Sequence, residues 1–158
     1  MSNYLATLSY LGGAYKGFER QKKYKTIQGE VERALSSLLG EPSCIHGAGR
    51  TDAGVNAKGQ TFSFISKRNI QDIDSFIYAF NRLLPSDIAV TSLKEVPSNF
   101  DARHSCMGKV YSYAFYLGKK DPYLSFTSAY FGERNFDYEA LKKTLLLFVG
   151  EHNFRDFT

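Results

Sequence analysis

The stretch TIQGEVERALSSLLG, from Thr26 to Gly40, has the spacing of an amphipathic helix. Thr26 can cap the first turn with its hydroxyl, and Gly40 stands where a left-handed glycine commonly ends a helix. Apolar residues recur every three or four positions, which places them on one face. These residues are Ile27, Val31, Ala34, Leu35, Leu38 and Leu39. The pattern predicts a helix that packs one face against another layer.

Strands and a second helix surround this helix in a regular order. Residues 73–84 again have helical spacing and stop before Pro85. Alternating or apolar runs predict strands over 4–10, up to about His46, over 59–66 and over 88–96. Strand, helix, strand, strand, helix, strand is the split βαβ, or ferredoxin-like, order. We therefore expect an α+β unit whose antiparallel four-stranded sheet carries both helices on one face.

The chain continues beyond one such unit. Residues 109–117 alternate as a strand, and Asp137 is placed to cap a helix that runs through Phe148. A lone strand and helix cannot bury both of their faces. We expect a ferredoxin-like domain over 1–97, then a linker and the start of a second similar α+β unit over 98–158. We also expect the natural chain to continue past that point.

Composition and charge are those of an ordinary soluble protein. Apolar residues make up 43% and charged residues 23%, and the net charge of +4 is compatible with nucleic acid. No apolar run reaches the roughly 18 residues of a membrane span, and no export signal is visible, so we expect a cytoplasmic protein without membrane contact. Cys44 and Cys106 lack metal-ligand spacing and are predicted to be buried free thiols.

A basic, aromatic loop follows the first strand. Between Ala14 and Lys25, Glu19 is the only acid. Cations can neutralise phosphates while rings offer stacking faces, although a solvated loop with incidental rings is the alternative. The cations are Lys16, Arg20, Lys22, Lys23 and Lys25, and the rings are Tyr15, Phe18 and Tyr24.

The segment GAGRTDAGVNA, residues 47–57, carries the strongest chemical signal. Its small residues let the backbone turn sharply and let a ligand come close. Arg50 and Asp52 lie on the same side of an extended chain, where an arginine favours the ionised acid. An ionised aspartate can act as a general base or a nucleophile. The alternative is that Asp52 caps a turn and pairs with Arg50 on the surface.

The string GRTDAGV, from Gly49 to Val55, closely resembles the signature of the TruA family of tRNA pseudouridine synthases. Further segments resemble that family in the same order along nearly the whole chain. They are Tyr10–Gly12, Gly17–Gln21, Ile27–Glu32, Asn81–Pro85, Phe100–Arg103, Lys109–Tyr113 and Gly150–Phe154.

The resemblance implies an isomerase that converts uridine to pseudouridine in the tRNA anticodon arm, at positions 38 to 40 in tRNA numbering. It implies tRNA as the partner, a homodimer as the working form, and no cofactor or metal. The sequence agrees, because it contains no His/Cys ligand cluster and no phosphate-cradling loop.

By the same resemblance Asp52 is the catalytic residue, and the target base must leave its stack to reach it. Its chemical role stays open between attack on base or sugar and removal of a ribose proton. Tyr111 would stack on the flipped base, and Arg50 would pair with Asp52 or contact the RNA. Arg20, Lys22, Lys23 and Arg103 would bind backbone phosphates. His46 and His104, with no visible partner, are expected to be structural or exposed.

Four positions depart from the family pattern. Leu11 stands where the family often has Asp, and Phe18-Glu19 stands where it often has Trp-Gln. Asn56 replaces a histidine, and because its amide does not titrate, it has no proton-transfer role. Glu19 adds an anion to a loop that would face RNA.

Two other functions remain to be distinguished. A ferredoxin-like sheet can bind single-stranded RNA through aromatics on its open face, without catalysis. A hydrolase with Asp52 as nucleophile would usually need a second carboxylate, and spacing identifies none among Asp72, Asp74 and Asp101. If the natural chain is longer, residues 1–158 should fold at least through Val96 but lack isomerase activity.

Overall fold

The computed structural model describes residues 1–133 and 135–155. Backbone contacts divide the chain into two units, Met1–Ser112 and Tyr113–Thr158. The first unit contains β1 (Ser2–Tyr10), a 3-10 turn (Gly12–Ala14), α1 (Ile27–Leu39), β2 (His46–Gly47), β3 (Ala57–Ser66), α2 (Ile73–Leu83) and β4 (Ile88–Val96).

The first unit is built on one antiparallel sheet with strand order β2-β3-β1-β4. The side chains of β1 alternate, so that Tyr4, Ala6, Leu8 and Tyr10 are buried with the apolar faces of the two helices. Fully burying one such large side chain contributes roughly 1.5–3 kcal/mol. The predicted α+β ferredoxin-like unit is confirmed.

Local chemistry explains where the helices begin and end. The Thr26 hydroxyl accepts from Gly29 N at 3.3 Å, and Gly40 ends α1 with φ 71°. Asp72 caps α2 by accepting from Ser75 N at 3.0 Å. The bounds of α1 match those expected from spacing, and α2 ends one residue earlier than expected. No helix in the described ranges is long and apolar enough to cross a membrane.

The sheet face away from the helices supports the segment after β4. Asn3 Nδ2 donates to the carbonyls of Pro97 (3.1 Å) and Phe100 (2.7 Å). Ala102 N donates to Ser63 Oγ at 3.1 Å, and Ala102 is buried. These bonds fix residues 97–102 on this face and place the polar side chains that follow beside the β2–β3 connection.

The second unit contains β5 (Phe115–Tyr116), a 3-10 turn (Leu124–Phe126), β6 (Ala129–Tyr130) and α3 (Tyr138–Leu146). Asp137 caps α3 as predicted, with Ala140 N 2.9 Å from its carboxylate. The strand predicted over 109–117 is wrong for most of its length, because only Phe115–Tyr116 pairs, in parallel with β6. Alternation of apolar and polar residues is typical of a strand, but a strand forms only where its backbone hydrogen-bonds to that of another strand.

The prediction of buried thiols is also wrong, since Cys44 and Cys106 are both exposed. Cys44 lies in the irregular segment before β2, where its neighbours Ser43 and Ile45 take the buried positions. Cys106 lies in the irregular segment after β4. Thiol chemistry therefore remains accessible at both positions.

Candidate active site

Asp52 lies on a tight turn within the segment that connects β2 and β3. Val55 N donates to Asp52 O at 3.2 Å, and Gly54 between them has φ 81°. A left-handed residue at the third position is the mark of a type II turn, which favours glycine. The Asp52 side chain is exposed on this turn. Residues 51–56 are called the catalytic loop because the family resemblance predicts Asp52 as the catalytic residue, and this loop presents the Asp52 carboxylate to solvent.

The basic loop after β1 holds the catalytic loop through its backbone. Phe18 N donates to Thr51 O at 3.0 Å, and Gly54 N donates to Tyr15 O at 3.4 Å. The two backbones approach closely at Gly17, where an added Cβ would lie 2.8 Å from Thr51 O. Gly17 also has φ 94°, so two constraints favour glycine there.

Side chains add two further attachments to the catalytic loop. The hydroxyls of Tyr10 and Thr51 lie 2.8 Å apart, and Gly12 N donates to Asn56 Oδ1 at 2.8 Å. Burial raises the pKa of Tyr10, an effect that its hydrogen bond with Thr51 partly offsets. Tyr10 therefore stays a neutral phenol at physiological pH, and Asn56 acts as a structural hydrogen-bond acceptor.

The loop after β1 is itself fixed by Asp87, which precedes β4. Tyr15 Oη donates to Asp87 Oδ1 at 2.5 Å, and Leu11 N donates to Asp87 O at 2.9 Å. Burial, followed by the hydrogen bond to Asp87, raises the pKa of Tyr15 far above its usual range. The support of Asp52 thus extends from the β2–β3 connection to the start of β4.

Arg50 pairs with Glu19, not with Asp52. Its Nε lies 2.9 Å from Glu19 Oε2, and both side chains are about half exposed. No cation of the described residues lies within ion-pair distance of the Asp52 carboxylate. The backbone turns at Asp52, so the extended geometry that would put Arg50 and Asp52 on one side does not continue. Contact of Arg50 with RNA stays a prediction.

The other predicted site residues have different surroundings. Tyr111 is 68% exposed, in an irregular segment. Lys22 and Lys23 are exposed on the loop after β1. Arg20 Nη2 lies 3.0 Å from Glu32 Oε2, and Glu32 is buried in α1. The roles of these residues in binding remain predictions.

A cleft of about 1000 Å³ lies beside the catalytic loop within the first unit. Asp52 does not line it, but Arg50, two residues earlier, does. Sequence reasoning did not single out Lys109, whose ammonium group lies against Gly49 and lines the same cleft. The charged groups of the lining are Arg50, Arg103 and Lys109, with the carboxylates of Glu19 and Asp101.

Asp101 joins two histidines at the wall of this cleft. Its Oδ2 lies 2.9 Å from His46 Nδ1, and its Oδ1 lies 3.2 Å from His104 Nδ1. Hydrogen bonds from the His104 backbone and the His46 ring lower the pKa of Asp101 to about 2. Both histidines are exposed, as expected, but each has Asp101 as a partner that the sequence did not reveal. Asp-x-x-His spacing at 101–104 could have indicated one pair, whereas His46 is 55 residues away.

Asp101, His46 and His104 are residue types that can bind a metal ion. Both histidines place Nδ1 next to the carboxylate, so the three groups contact one another rather than converge on a vacant centre. Across residues 1–133 and 135–155, no group of three His, Cys, Asp or Glu side chains is placed to hold a metal ion.

Comparison with known proteins completes this description. Residues 6–105 match a family model described as tRNA pseudouridine synthase. The chain is 38% identical to tRNA pseudouridine synthase A of Caldicellulosiruptor bescii and 38% identical to that of Acetivibrio thermocellus, over 99% of its own length in each case. It is 36% identical to the protein of the same name from Leptospira biflexa, over its whole length.

The chain belongs to the tRNA pseudouridine synthase family. It spans 64% of the length of the first two of these relatives and 61% of the third. The family match includes the catalytic loop and Arg103, and the pairwise similarities extend through Tyr111. Membership in the tRNA pseudouridine synthase family confirms the resemblance on which the site residues were predicted, while the role of each residue remains a proposal.

Proposed function

We propose that the protein converts uridine to pseudouridine in the anticodon arm of tRNA, at positions 38 to 40, with Asp52 as the catalytic residue. The observation that carries this proposal is the presentation of Asp52 on a supported, exposed turn, in a chain of the tRNA pseudouridine synthase family. The cleft that begins at Arg50 provides a basic surface next to that turn.

The proposed reaction exchanges one glycosidic bond for another. The bond between uracil N1 and ribose C1′ breaks, and a bond between C5 and C1′ forms. N1 gains a proton and C5 loses one, so the reaction involves no net oxidation. Asp52 would act either as a nucleophile toward base or sugar or as a base toward a ribose proton. The exposed Tyr111 ring would stack on the flipped uracil.

Backbone phosphates would bind to the cations around the catalytic loop. Arg103 lines the cleft, and Lys22 and Lys23 are exposed on the loop that supports Asp52. Arg20 can contribute as well, because its side chain is 62% exposed and a guanidinium has donors to spare after pairing with Glu32. Such contacts would orient the tRNA without reading its sequence.

A non-catalytic RNA-binding sheet is disfavoured by the position of the aromatic residues. The aromatic side chains of the four strands of the sheet are Tyr4, Tyr10, Phe62 and Phe64, and all are buried on the helix side. The open face therefore lacks the stacking rings on which ferredoxin-like RNA-binding domains depend.

A homodimer with one tRNA spanning both subunits is part of the proposal and follows from the family resemblance. The molar mass of the protein, measured by light scattering with and without tRNA, tests this arrangement. A monomer that binds and modifies tRNA at full rate would contradict it.

The proposed function is tested by mapping the product. The protein expressed from its complete reading frame is incubated with a tRNA transcript carrying uridines at positions 38 to 40, and pseudouridine is located by carbodiimide adduct formation and primer extension. We expect stops at these positions, which disappear when the uridines are replaced by cytidine. Binding without pseudouridine, or pseudouridine only elsewhere in the tRNA, would contradict the proposal.

A further inference from the structure

We propose that His46 and His104, joined by Asp101 and flanked by Arg103, form a contact for an RNA backbone phosphate that strengthens as the pH falls. The inference rests on the proposed function, because it assumes an RNA substrate. It assigns a role to two histidines that neither the family resemblance nor the catalytic chemistry requires.

The geometry leaves one nitrogen of each imidazole for a ligand. Each ring places Nδ1 near a different oxygen of the Asp101 carboxylate, at 2.9 Å for His46 and 3.2 Å for His104. A carboxylate can only accept, so His46 Nδ1 is the donor in its hydrogen bond, whereas His104 Nδ1 lies within ion-pair distance of its oxygen. Among the described residues, neither Nε2 has a hydrogen-bond or ion-pair partner. Protonation turns each Nε2 into a second donor.

Exposure and anchoring suit these rings to an RNA contact. The side chains of His46 and His104 are 67% and 86% exposed, whereas that of Asp101 is 25% exposed. His46 belongs to β2, and His104 belongs to the turn after β4, where its own N and Arg103 N both donate to Asp101 Oδ1. One carboxylate thus fixes the His46 ring and the backbone of Arg103 and His104, and the His104 ring lies beside it at the same wall of the cleft.

The balance of charge around the rings favours an anion. The lining contains three basic side chains and two carboxylates, a net charge of +1, which protonation of both imidazoles raises to +3. Both carboxylates are already paired, Glu19 with Arg50 and Asp101 with the histidines. Gln28, a further polar side chain of the lining, carries no charge.

In an RNA substrate, the anion that can bind to this wall of the cleft is a backbone phosphodiester. Histidine is the residue type that changes charge between about pH 5 and 8, so a contact through imidazolium donors must weaken across that range. A contact to phosphate increases affinity and fixes the position of the RNA on the protein, but it does not select a sequence. The contact should therefore affect all tRNA substrates alike and should depend on salt as well as pH.

The test measures affinity for fluorescently labelled tRNA at pH 6.0 and pH 8.0 at constant ionic strength. The variants are His46→Gln, His104→Gln and the double variant, because glutamine can still donate to Asp101 but cannot become charged. The control is His152→Gln, the third histidine of the chain, whose ring contacts Val149 O in the second unit. Thermal unfolding of each variant verifies that it is folded.

We expect the wild type and His152→Gln to lose about tenfold in affinity between the two pH values, as for the loss of one strong ionic contact. The double variant should change by less than about twofold, and at pH 6.0 its slope of log affinity against log salt should fall by about one. A merely structural role of the histidines would not change that slope.

Several outcomes would overturn the inference. They are a wild-type affinity that is independent of pH, a double variant that keeps the full pH dependence, and no tRNA binding at pH 6.0. Abolition of the pH-dependent part by stoichiometric inorganic phosphate would mean a site for the free anion instead of RNA. Pseudouridine formation with pH-independent binding would overturn this inference alone, and pH-dependent binding without pseudouridine would overturn only the proposed reaction.

Discussion

Tyr10 connects the hydrophobic core to the residue that precedes Asp52. Its side chain is 3% exposed, and its hydroxyl lies 2.8 Å from Thr51 Oγ1. A buried hydroxyl that keeps one good hydrogen bond stabilises the fold only modestly, but it restricts the conformations of its partner. At the scale of single residues, the position of the Asp52 carboxylate therefore depends on a core tyrosine that contacts the neighbouring residue, Thr51.

Replacing Tyr10 with phenylalanine should lower the free energy of unfolding by about 1 kcal/mol, because it removes one buried hydrogen bond. The turnover rate for pseudouridine formation should also fall, with tRNA affinity changed less than about twofold. Urea unfolding and single-turnover kinetics check the two effects. Tyr78→Phe, at a position 69% exposed on α2, is the matched control and should change neither. Equal effects of the two substitutions would contradict the positioning role of Tyr10.

At the scale of elements, the conformation of the catalytic loop depends on Gly54. An added Cβ there would meet no atom within 4 Å, so the cost of a side chain comes only from the left-handed φ of 81°. Gly54→Ala should destabilise the protein by about 1–2 kcal/mol. Gly13→Ala, where space is also free and φ is not positive, should change stability by less than about 0.5 kcal/mol. Urea unfolding compares the two, and a harmless Gly54→Ala would refute the type II turn.

Asp101 accepts hydrogen bonds from the backbone of Arg103 and His104, and these bonds should make the free energy of unfolding depend on pH at acidic pH. Its folded pKa of about 2 lies below the ordinary value of 3.8, so the stabilisation is complete above about pH 4 and is lost as the pH falls through 2. The pKa difference corresponds to roughly 2 kcal/mol, which solvent screening at this partly exposed site reduces to about 1 kcal/mol.

The measurement is urea unfolding of the wild type and Asp101→Asn at pH 5 and pH 2. The advantage of the wild type should shrink by about 1 kcal/mol between these values, since the asparagine cannot titrate. An advantage that is the same at both pH values would contradict the contribution of the ionised Asp101 carboxylate.

Structural features that depend on neighbouring residues could be predicted from the sequence. Features that depend on residues far away in the sequence could not. The Thr26 and Gly40 caps of α1 lie within the helix's own sequence, and the core alternation of β1 fixed its inward face. The prediction of a strand over 109–117 was wrong for most of its length, because the residues of a strand do not determine where its pairing partner lies. For the same reason, the Arg50–Glu19 pair and the His46–Asp101 contact, separated by 31 and 55 positions, were not foreseen.

At the scale of the whole molecule, the core lies within the first unit. The buried hydrophobic residues extend from Tyr4 to Ala102, and no described residue of the second unit is buried. For residues 1–158, hydrogen exchange measured by mass spectrometry should therefore find β1, which pairs on both sides, among the most protected segments, and rapid exchange over 113–133 and 135–155. The exchange rate of peptides covering 98–112 shows whether this segment is protected with the first unit or exchanges like the second, and it therefore tests the proposed domain boundary after residue 97. Protection over 113–155 equal to that of β1 would contradict this distribution of stability.

The most direct test of the proposed function is the catalytic role of Asp52. Tritium release from tRNA labelled at uracil C5 is measured for the protein from its complete reading frame, for Asp52→Ala and for Asp74→Asn, a control at an exposed carboxylate on α2. We predict that Asp52→Ala abolishes release while tRNA affinity stays within a few-fold of wild type, and that Asp74→Asn releases tritium normally. Release by Asp52→Ala at the wild-type rate would contradict the assignment of the catalytic residue.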